Sequence, residues 1–258
     1  MSHLVSNNRR ILSIIIPAYN EQETIGPLLE KVMQIQLLEN IDKEILVIND
    51  GSDDNTFQEA EKIKNKYPEE KIVLQSMPCN SGKGACVRKG LDLFTGEYVI
   101  IQDADLEYDP SDYNVLLEPV INGFADVVYG SRFKGEAPHR MLLFWHYMGN
   151  ILLTMISNML TNLNLSDMET GYKLFRADAI KQVSLKENRF GFEPEVTAKI
   201  SRLKDIRIYE VGISYYGRTY NEGKKIRWTD GVYALYCILK YNFSSGKGKT
   251  GKPELKQY

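Results

Sequence analysis

Cysteine is scarce in this sequence, which has three thiols, Cys79, Cys86 and Cys237, in 258 residues. They form no CxxC pair, and each lies on or near an apolar segment. This pattern predicts buried thiols in a reducing compartment and therefore favours a cytoplasmic protein.

Long hydrophobic runs and a strong net charge are also missing. The first ten residues are polar, with no apolar core before Ile11, so we expect no secretory signal. No uncharged apolar stretch qualifies clearly as a membrane span. A net charge of -2 and a pI near 6.0 give no general attraction for nucleic acid. We therefore expect no nucleic-acid partner, and a cytoplasmic location that could be peripheral on the cytoplasmic face of a membrane.

Short apolar segments alternate with amphipathic ones over the first 130 residues or so. Five short segments are rich in β-branched residues, which predicts buried strands at residues 11–16, 44–48, 71–74, 98–101 and 126–129. Helices are predicted at residues 21–36, 55–66 and 83–94, where apolar and charged side chains recur at helical spacing. A further short strand is expected near residues 207–211. The pattern predicts an α/β fold, a single Rossmann-like domain with a mainly parallel central sheet.

The domain is expected to cover residues 1–243. Its nucleotide-binding part would be about 11–132 and its acceptor part about 133–243, followed by a mobile basic tail at 244–258 that has too little apolar material to pack.

The motif Asp103-Ala104-Asp105 follows the apolar run at residues 98–101. In an extended chain, side chains two residues apart point the same way, so both carboxylates could converge on one ligand. Two such charges need a cation, and their oxygen atoms suit Mg²⁺ or Mn²⁺ bound to a phosphate or diphosphate. A solvated acidic turn is the plainer alternative.

Polar loops follow the other early strands and should share an edge of the sheet, where ligands of such folds collect. Asn20 could cap the next helix with Glu23 completing a capping box, while Tyr19 could stack on a planar base. Asp50 lies in a turn that it could simply stabilise. Asn80-Ser81-Gly82-Lys83-Gly84 offers free amides and an ammonium group for a phosphate, without the full P-loop spacing.

Four of these segments together resemble the family 2 inverting glycosyltransferases of the GT-A fold. They are Ile14 to Glu21, Asn49-Asp50-Gly51-Ser52, Gly82-Lys83-Gly84 and Asp103-Ala104-Asp105. Gly130-Ser131-Arg132-Phe133 and Thr170-Gly171-Tyr172-Lys173-Leu174-Phe175 extend the similarity. Within that family the chain is most similar to polyprenyl-phosphate sugar transferases such as dolichyl-phosphate mannose synthase.

The resemblance implies roles for individual residues. Pro17, Tyr19, Glu21 and Asp50 would contact the nucleoside, Asp103 the sugar or ribose, and Asp105 the metal. Glu107, which stands where relatives often have Gln, would be a second metal ligand. Asn20, Lys83 and Ala104 complete the predicted substrate site on the donor side.

Residues 141–164 contain no charged side chain, and their polar residues recur at helical spacing, leaving most of the circumference apolar. Such a helix could meet a lipid acceptor or a membrane interface, or it could be a core or dimer helix. Many polyprenyl-phosphate transferases carry C-terminal transmembrane helices, and from this sequence we expect none.

Residues 216–228 form a basic segment that contains two glycines, Gly217 and Gly223. Arg218 and Lys224 or Lys225 could close over the donor diphosphate and stabilise the charge of the leaving group. A solvated basic loop is the alternative.

The two possible classes of acceptor, a phosphate and a sugar hydroxyl, require different catalytic residues. A phosphate nucleophile is already anionic, so it needs no general base, and Arg132 could position it. A sugar hydroxyl needs deprotonation, for which Asp167 or Glu169 are candidates, although Asp167 could equally brace the segment before Gly171.

We therefore predict metal-dependent transfer of a hexose from GDP-mannose or UDP-glucose to a polyprenyl phosphate, with inversion. Transfer to a glycan hydroxyl, and a non-catalytic nucleotide-sugar-binding protein, are the alternatives. Lys247, Lys249, Lys252 and Lys256 in the tail could support membrane contact.

Overall fold

Seven strands form one mixed sheet in the computed structural model, which describes residues 10–38, 41–135, 140–141, 143–218 and 228–243. The strands are β1 (Arg10–Ala18), β2 (Ile41–Asn49), β3 (Lys71–Ser76), β4 (Tyr98–Ile101), β5 (Val127–Ser131), β6 (Lys173–Arg176) and β7 (Ile208–Gly212). They lie in the order β3-β2-β1-β4-β6-β5-β7. Only β6 runs antiparallel to its neighbours, β4 and β5.

Eight α-helices accompany the sheet within these residues. They are α1 (Ile25–Gln34), α2 (Thr56–Lys66), α3 (Lys83–Leu93), α4 (Tyr113–Ile121), α5 (Phe144–Thr161), α6 (Ala177–Ile180), α7 (Phe192–Ile200) and α8 (Trp228–Phe243). A short 3-10 helix, Pro110–Asp112, precedes α4.

The sheet is buried on both faces, which explains why its central strands are continuous apolar runs. In β1, Ile14 and Ile16 belong to one core layer together with Leu28 of α1. Ile15, between them, belongs to the opposite layer together with Val87 of α3. Because successive side chains of a strand point to opposite faces, covering both faces requires apolar residues at every position. The predicted α/β fold with a mainly parallel sheet is confirmed.

The first predicted helix begins later than expected. Asn20 has a φ of 51°, and its Oδ1 accepts a hydrogen bond from the Asp53 backbone at 3.0 Å. Thr24 instead precedes the helix, and its hydroxyl donates to Glu21 Oε2 at 2.7 Å. The prediction that Asn20 caps α1 is therefore wrong, because its side chain joins the loops after β1 and β2.

One further expectation needs correction, and one strand was not expected. Cys86 and Cys237 are buried as predicted, but Cys79 is exposed in the loop after β3. The strand β6 was not predicted, because a segment of four residues that contains Lys173 and Arg176 carries little apolar signal. Its central position between β4 and β5 comes from tertiary pairing.

Several predicted features lie outside the described residues. They are Lys224 and Lys225 of the basic segment and the tail at 244–258 with its lysines Lys247, Lys249, Lys252 and Lys256.

At Gly90, α3 packs closely against β1 of the sheet, and this contact yields a test of the packing. An added Cβ would lie 2.5 Å from Cγ2 of the fully buried Ile15. We expect Gly90→Ala to lower the free energy of unfolding by about 1–3 kcal/mol, because α3 must shift. Urea unfolding followed by circular dichroism measures this.

Gly149→Ala in α5 is the matched control, since its added Cβ would meet nothing within 4 Å. This substitution should stabilise the protein by about 0.5–1 kcal/mol through helix propensity alone. Equal effects of the two substitutions would contradict the close packing at Gly90.

Candidate active site

A cleft of about 1310 Å³ runs along the carboxyl ends of β1, β2 and β4 and continues to α5 and α8. It brings together most of the residues singled out from the sequence. Its lining includes Pro17, Tyr19, Glu21, Asp50, Lys83, Asp103, Ala104, Asp105, Glu107, Arg132, Glu169 and Arg218. Asn20 and Asp167 lie outside this lining.

Asp50 stabilises the loop that leads into α3. Its two carboxylate oxygens accept hydrogen bonds from the backbone N–H groups of Ser81, at 2.7 Å, and Gly82, at 2.8 Å. Gly82 has a φ of 97°, a conformation that suits glycine. The expectation of free amides for a phosphate in this loop is therefore wrong for Ser81 and Gly82, because Asp50 already uses both groups.

Asp103 belongs to an ion cluster on the α3 side of the cleft. Its Oδ1 lies 2.7 Å from Lys83 Nζ, which also lies 3.0 Å from Glu193 Oε1 at the start of α7. Although burial opposes the charge of Lys83, Asp103 and Glu193 raise the pKa of its ammonium group. Gly171 lies against the Asp103 carboxylate so closely that a Cβ there would collide with it.

Asp105 belongs to a different cluster, organised by Arg218. The Arg218 Nη2 atom lies 3.1 Å from Asp105 Oδ2 and 3.5 Å from Glu21 Oε1, and its Nε lies 3.4 Å from Glu107 Oε1. Tyr215 donates a hydrogen bond to Glu107 Oε2 at 2.6 Å. Asp103 and Asp105 do not lie in an extended strand, because β4 ends at Ile101, and their carboxylates have separate partners among the described residues. Both residues line the same cleft, so their convergence on one ligand stays a prediction.

Asp105 lies partly buried close to two other carboxylates, those of Asp103 and Glu107, so its ionised form is disfavoured. Burial, together with the Asp103 and Glu107 carboxylates, raises the pKa of Asp105 to about 7, despite the opposing effect of Arg218. A site of this kind favours an added cation. Within the described part of the chain, however, no three His, Cys, Asp or Glu side chains are grouped so that they could hold a metal ion.

One carboxylate is nevertheless enough for the predicted metals. Mg²⁺ is commonly bound through one or two carboxylates, with water and substrate phosphates completing its coordination. The oxygen atoms of Asp105 fit that chemistry. Both Asp105 oxygens accept hydrogen bonds in this structure, from the Glu107 N–H and from Arg218 Nη2, at 3.1 Å each. Both Glu107 oxygens do so too, from Tyr215 and from the Arg218 backbone at 3.0 Å.

Arg132 lines the cleft and is held by the fully buried Asp167 behind it. Its Nε and Nη2 atoms each lie 2.7 Å from an oxygen of Asp167. Asn150 of α5 donates a further hydrogen bond to Asp167 Oδ1 at 3.0 Å. Burial opposes ionisation of Asp167, but the Arg132 guanidinium holds its pKa below the usual range.

Glu169 lines the cleft near Lys173, the first residue of β6. Burial and the nearby Glu193 raise the pKa of Glu169 to about 8. Burial lowers the pKa of Lys173, whose ammonium group donates to the Thr170 carbonyl and lies 5.1 Å from the centroid of the Tyr129 ring. The sequence analysis missed Glu193, although an acidic residue inside the apolar start of α7 was a usable signal.

Helices α5 and α8 expose a large apolar surface next to the cleft. Trp145 is 81% exposed and Met159 is 68% exposed on α5, while the polar Thr154 and Ser157 of this helix are buried. On α8, Val232 is 59% exposed. Trp145 also lines the cleft, so the apolar surface and the cleft are continuous. Among the residues that the structure describes, no helix is both long and apolar enough to cross a membrane.

The sequence comparison finds a match to the model of Glycosyl transferase family 2 over residues 13–184. The chain is 30% identical over 221 residues to the dolichyl-phosphate beta-glucosyltransferase ALG5D of Trichomonas vaginalis, a match that covers 79% of this chain and 65% of that protein. It is 26% identical over 215 residues to the dodecaprenyl-phosphate galacturonate synthase of Rhizobium johnstonii, covering 83% of this chain and 61% of that protein. The chain thus spans less than two thirds of the length of these relatives.

Solved structures show the same fold. Glucosyl-3-phosphoglycerate synthase from Mycobacterium tuberculosis, in complex with Mn²⁺, UDP-glucose and phosphoglyceric acid, gives a TM-score of 0.69 at 17% identity, covering 90% of this chain and 80% of that one. The same synthase with Mg²⁺ and UDP gives 0.67 at 17% identity, covering 90% and 79%. This likeness confirms the GT-A fold predicted from the sequence.

The raised pKa of Asp105 predicts a dependence of stability on pH. The carboxyl ionises near pH 3.8 in the unfolded chain but near pH 7 in the folded protein. Between these values the folded state binds more protons, so the contribution of Asp105 to stability falls as the pH rises. Without metal, Asp105→Asn should therefore raise the melting temperature at pH 8 and have little effect near pH 3.8.

Mn²⁺ should raise the melting temperature of the unsubstituted protein at pH 8 but not that of Asp105→Asn. Asp109 is the control, because its pKa is shifted in the opposite direction. Burial opposes its ionisation, but the hydrogen bond that Asp109 Oδ1 accepts from the Ser111 N–H at 2.9 Å lowers its pKa. Asp109→Asn should lower the melting temperature at pH 8. If Asp105→Asn behaves in the same way and still responds to Mn²⁺, Asp105 is not the ligand.

Removing Asp167 should destabilise the fold. Asp167→Ala leaves the Arg132 guanidinium without its buried partner, which we expect to cost about 3–5 kcal/mol. Asp178→Ala breaks the exposed pair with Arg176, at 2.9 Å, and should change the stability by less than about 1 kcal/mol. Denaturant unfolding of both variants measures the difference, and similar small losses would mean that the Arg132–Asp167 pair does not brace the fold.

Proposed function

The chain belongs to glycosyl transferase family 2, and from that premise we propose that it transfers a hexose from a nucleotide diphosphate sugar to a polyprenyl phosphate, with inversion. The observation that carries this proposal is the continuity of the cleft. One end holds the carboxylates at the sheet edge, and the other opens beside the exposed apolar surface of α5 and α8. A reaction between a polar nucleotide sugar and a lipid-linked phosphate requires both environments.

The nucleoside would bind among the loops after β1 and β2. Pro17, Tyr19, Glu21 and Asp50 line that end of the cleft. Asp50 fixes the Ser81–Gly82 backbone, so its contribution to the site includes shaping the wall around the nucleoside. Asn20 would act indirectly, by holding the loops after β1 and β2 together through Asp53.

Asp105 would hold the divalent metal. A bound Mg²⁺ or Mn²⁺ supplies charge neutralisation on the leaving diphosphate. Glu107 would be the second ligand, as the sequence predicts, and it also holds Arg218 and Tyr215 in place.

Arg218 would assist departure of the nucleotide. Its guanidinium lies among Glu21, Asp105 and Glu107 at the edge of the cleft, within reach of a diphosphate placed at Asp105. Cationic donors aimed at a position where charge develops contribute strongly to catalysis. Lys224, which was predicted to share this task, lies outside the described residues.

Arg132 would position the acceptor phosphate. It lines the cleft on the α5 side, and its bidentate pair with Asp167 fixes its orientation. A phosphate acceptor attacks the anomeric carbon without giving up a proton, so no general base is needed. The low pKa and full burial of Asp167 support the bracing role over the base role.

Transfer to a sugar hydroxyl is the second candidate, and one observation favours it. Glu169 lines the cleft with a pKa raised to about 8, a value that suits a general base near neutral pH. A non-catalytic nucleotide-sugar-binding protein would use the same cleft without turnover.

UDP-glucose and GDP-mannose are the donors to compare. Two of the similar proteins are named dolichyl-phosphate beta-glucosyltransferases, which favours UDP-glucose. We further propose that the apolar surface of α5 and α8 gives peripheral contact with a membrane, where the acceptor resides.

A transfer assay tests the proposal. Each radiolabelled donor is incubated with polyprenyl phosphate, with Mn²⁺ or Mg²⁺ or with chelator, and the label in the organic phase is measured. We expect product with one donor and its loss with chelator. Asp105→Ala should lower the rate by about 10²-fold or more, since the metal contributes several kcal/mol to stabilising the leaving group.

Glu169→Gln separates the two acceptor classes. With a phosphate acceptor the glutamine variant keeps lipid turnover at saturating donor, whereas a hydroxyl acceptor that needs this base loses it. Asp178→Ala, a substitution at an exposed site, is the control and should leave the turnover unchanged. Donor binding without any organic-phase product would rule out the lipid acceptor.

A further inference from the structure

Three residues of the cleft carry buried oxygen atoms that have no hydrogen-bond partner among the described residues. They are Asn150 Oδ1, Glu169 Oε1 and Glu193 Oε2. Glu193 is only 4% exposed, and its other oxygen is already paired with Lys83. A buried polar atom without a partner costs about 1–3 kcal/mol, so three around one cleft point to a ligand that satisfies them.

The chemistry of these atoms restricts the ligand. Asn150 Oδ1 and Glu193 Oε2 accept hydrogen bonds, and the Asn150 amide donor is already used by Asp167. Glu169, whose pKa is raised to about 8, accepts when it is ionised and can donate when it is protonated. A ligand that fits must therefore donate at least two hydrogen bonds from closely spaced groups and be able to accept one. A polyhydroxyl compound does this, whereas a phosphate or carboxylate can only accept and would be repelled by Glu193.

The position of these atoms matches the transferred sugar. Glu193 is joined through Lys83 to Asp103, which is two residues from Asp105. Glu169 is two residues from Gly171, which lies directly against Asp103. Asn150 lies on the acceptor side, in contact with the Asp167 that holds Arg132. A sugar between the diphosphate at Asp105 and an acceptor at Arg132 would lie beside all three residues.

We propose that Asn150, Glu169 and Glu193 form the pocket for the transferred sugar and make this protein select a neutral hexose over a hexuronate. This inference rests on the proposed function. The family includes relatives of both kinds by name, glucosyltransferases and a galacturonate synthase. A hexuronate replaces the sugar C6 hydroxyl by a carboxylate, which would face acceptor oxygens and the charge of Glu193.

Binding measurements test this pocket without requiring turnover. Isothermal titration compares UDP, UDP-glucose and UDP-glucuronate in the presence of Mn²⁺, or GDP, GDP-mannose and GDP-mannuronate if the protein prefers guanine. We expect the neutral sugar nucleotide to bind about tenfold or more tightly than the uronate, which corresponds to one lost charge-assisted hydrogen bond.

At a pH above about 8, where Glu169 is ionised, Glu169→Gln should weaken binding of the neutral sugar nucleotide and leave the affinity for the bare nucleotide diphosphate within about twofold, because only contacts with the sugar change. Glu193→Gln should weaken binding of the neutral sugar nucleotide more than binding of the bare diphosphate, which loss of the Lys83 pair also affects. The double variant should lose most of the discrimination against the uronate. Glu118→Gln, on the exposed face of α4, removes the same charge far from these contacts and should change none of the affinities. Glu169→Gln keeps the test decisive if loss of the Lys83 pair prevents Glu193→Gln from folding.

The proposed pocket is wrong if the hexose and hexuronate nucleotides bind with equal affinity. It is also wrong if the variants weaken binding of the sugar nucleotide and of the bare diphosphate by the same factor. Sugar-dependent binding that responds to both variants, without transfer to polyprenyl phosphate, would support the pocket and reject the proposed acceptor. The two proposals therefore fail separately.

Discussion

Carboxylates that crowd one partly buried edge must be matched by cations, and this constraint organises the whole site. Asp103 and Glu193 share Lys83, while Glu21, Asp105 and Glu107 share Arg218. Asp167 forms an ion pair with Arg132. These cations come from α3, from the segment after β7 and from the segment after β5, so the ion pairs tie distant parts of the chain to the carboxyl ends of the central strands. At Asp105 the matching is incomplete, and the remaining demand for positive charge is what makes this position suit a metal.

The part of the fold that follows from local patterning was predictable from the sequence. The alternation of buried strands and amphipathic helices gave the parallel half of the sheet, and polar clusters after those strands identified most residues of the cleft. The antiparallel β6 was not predictable, because its pairing partners are distant in sequence and its four residues have no distinctive pattern. The two-residue spacing in Asp103-Ala104-Asp105 implies a common side-chain direction only in an extended chain, and β4 ends before this motif, at Ile101.

The roles of individual polar residues were less predictable than their location. Asp50 and Asn20 were recognised as loop residues, but only the structure shows that they hydrogen-bond to backbone groups of other loops. Glu193 was missed because it acts from α7, a helix with no motif of its own. Such contacts depend on how helices settle on the sheet, which is decided by packing across the whole core.

The reversed direction of β6 also affects how this architecture can change over evolution. In the parallel half, each connection leaves the cleft edge and returns at the opposite edge of the sheet, so its helix must span the full strand. The connection from β5 to β6 both leaves and returns at the cleft edge, since Tyr129 pairs with Lys173 in antiparallel register. This excursion contains Arg132, α5, Asp167 and Glu169. Insertions or deletions there can remodel the proposed acceptor side without altering strand register, so a change of acceptor would leave the proposed nucleotide-binding edge intact.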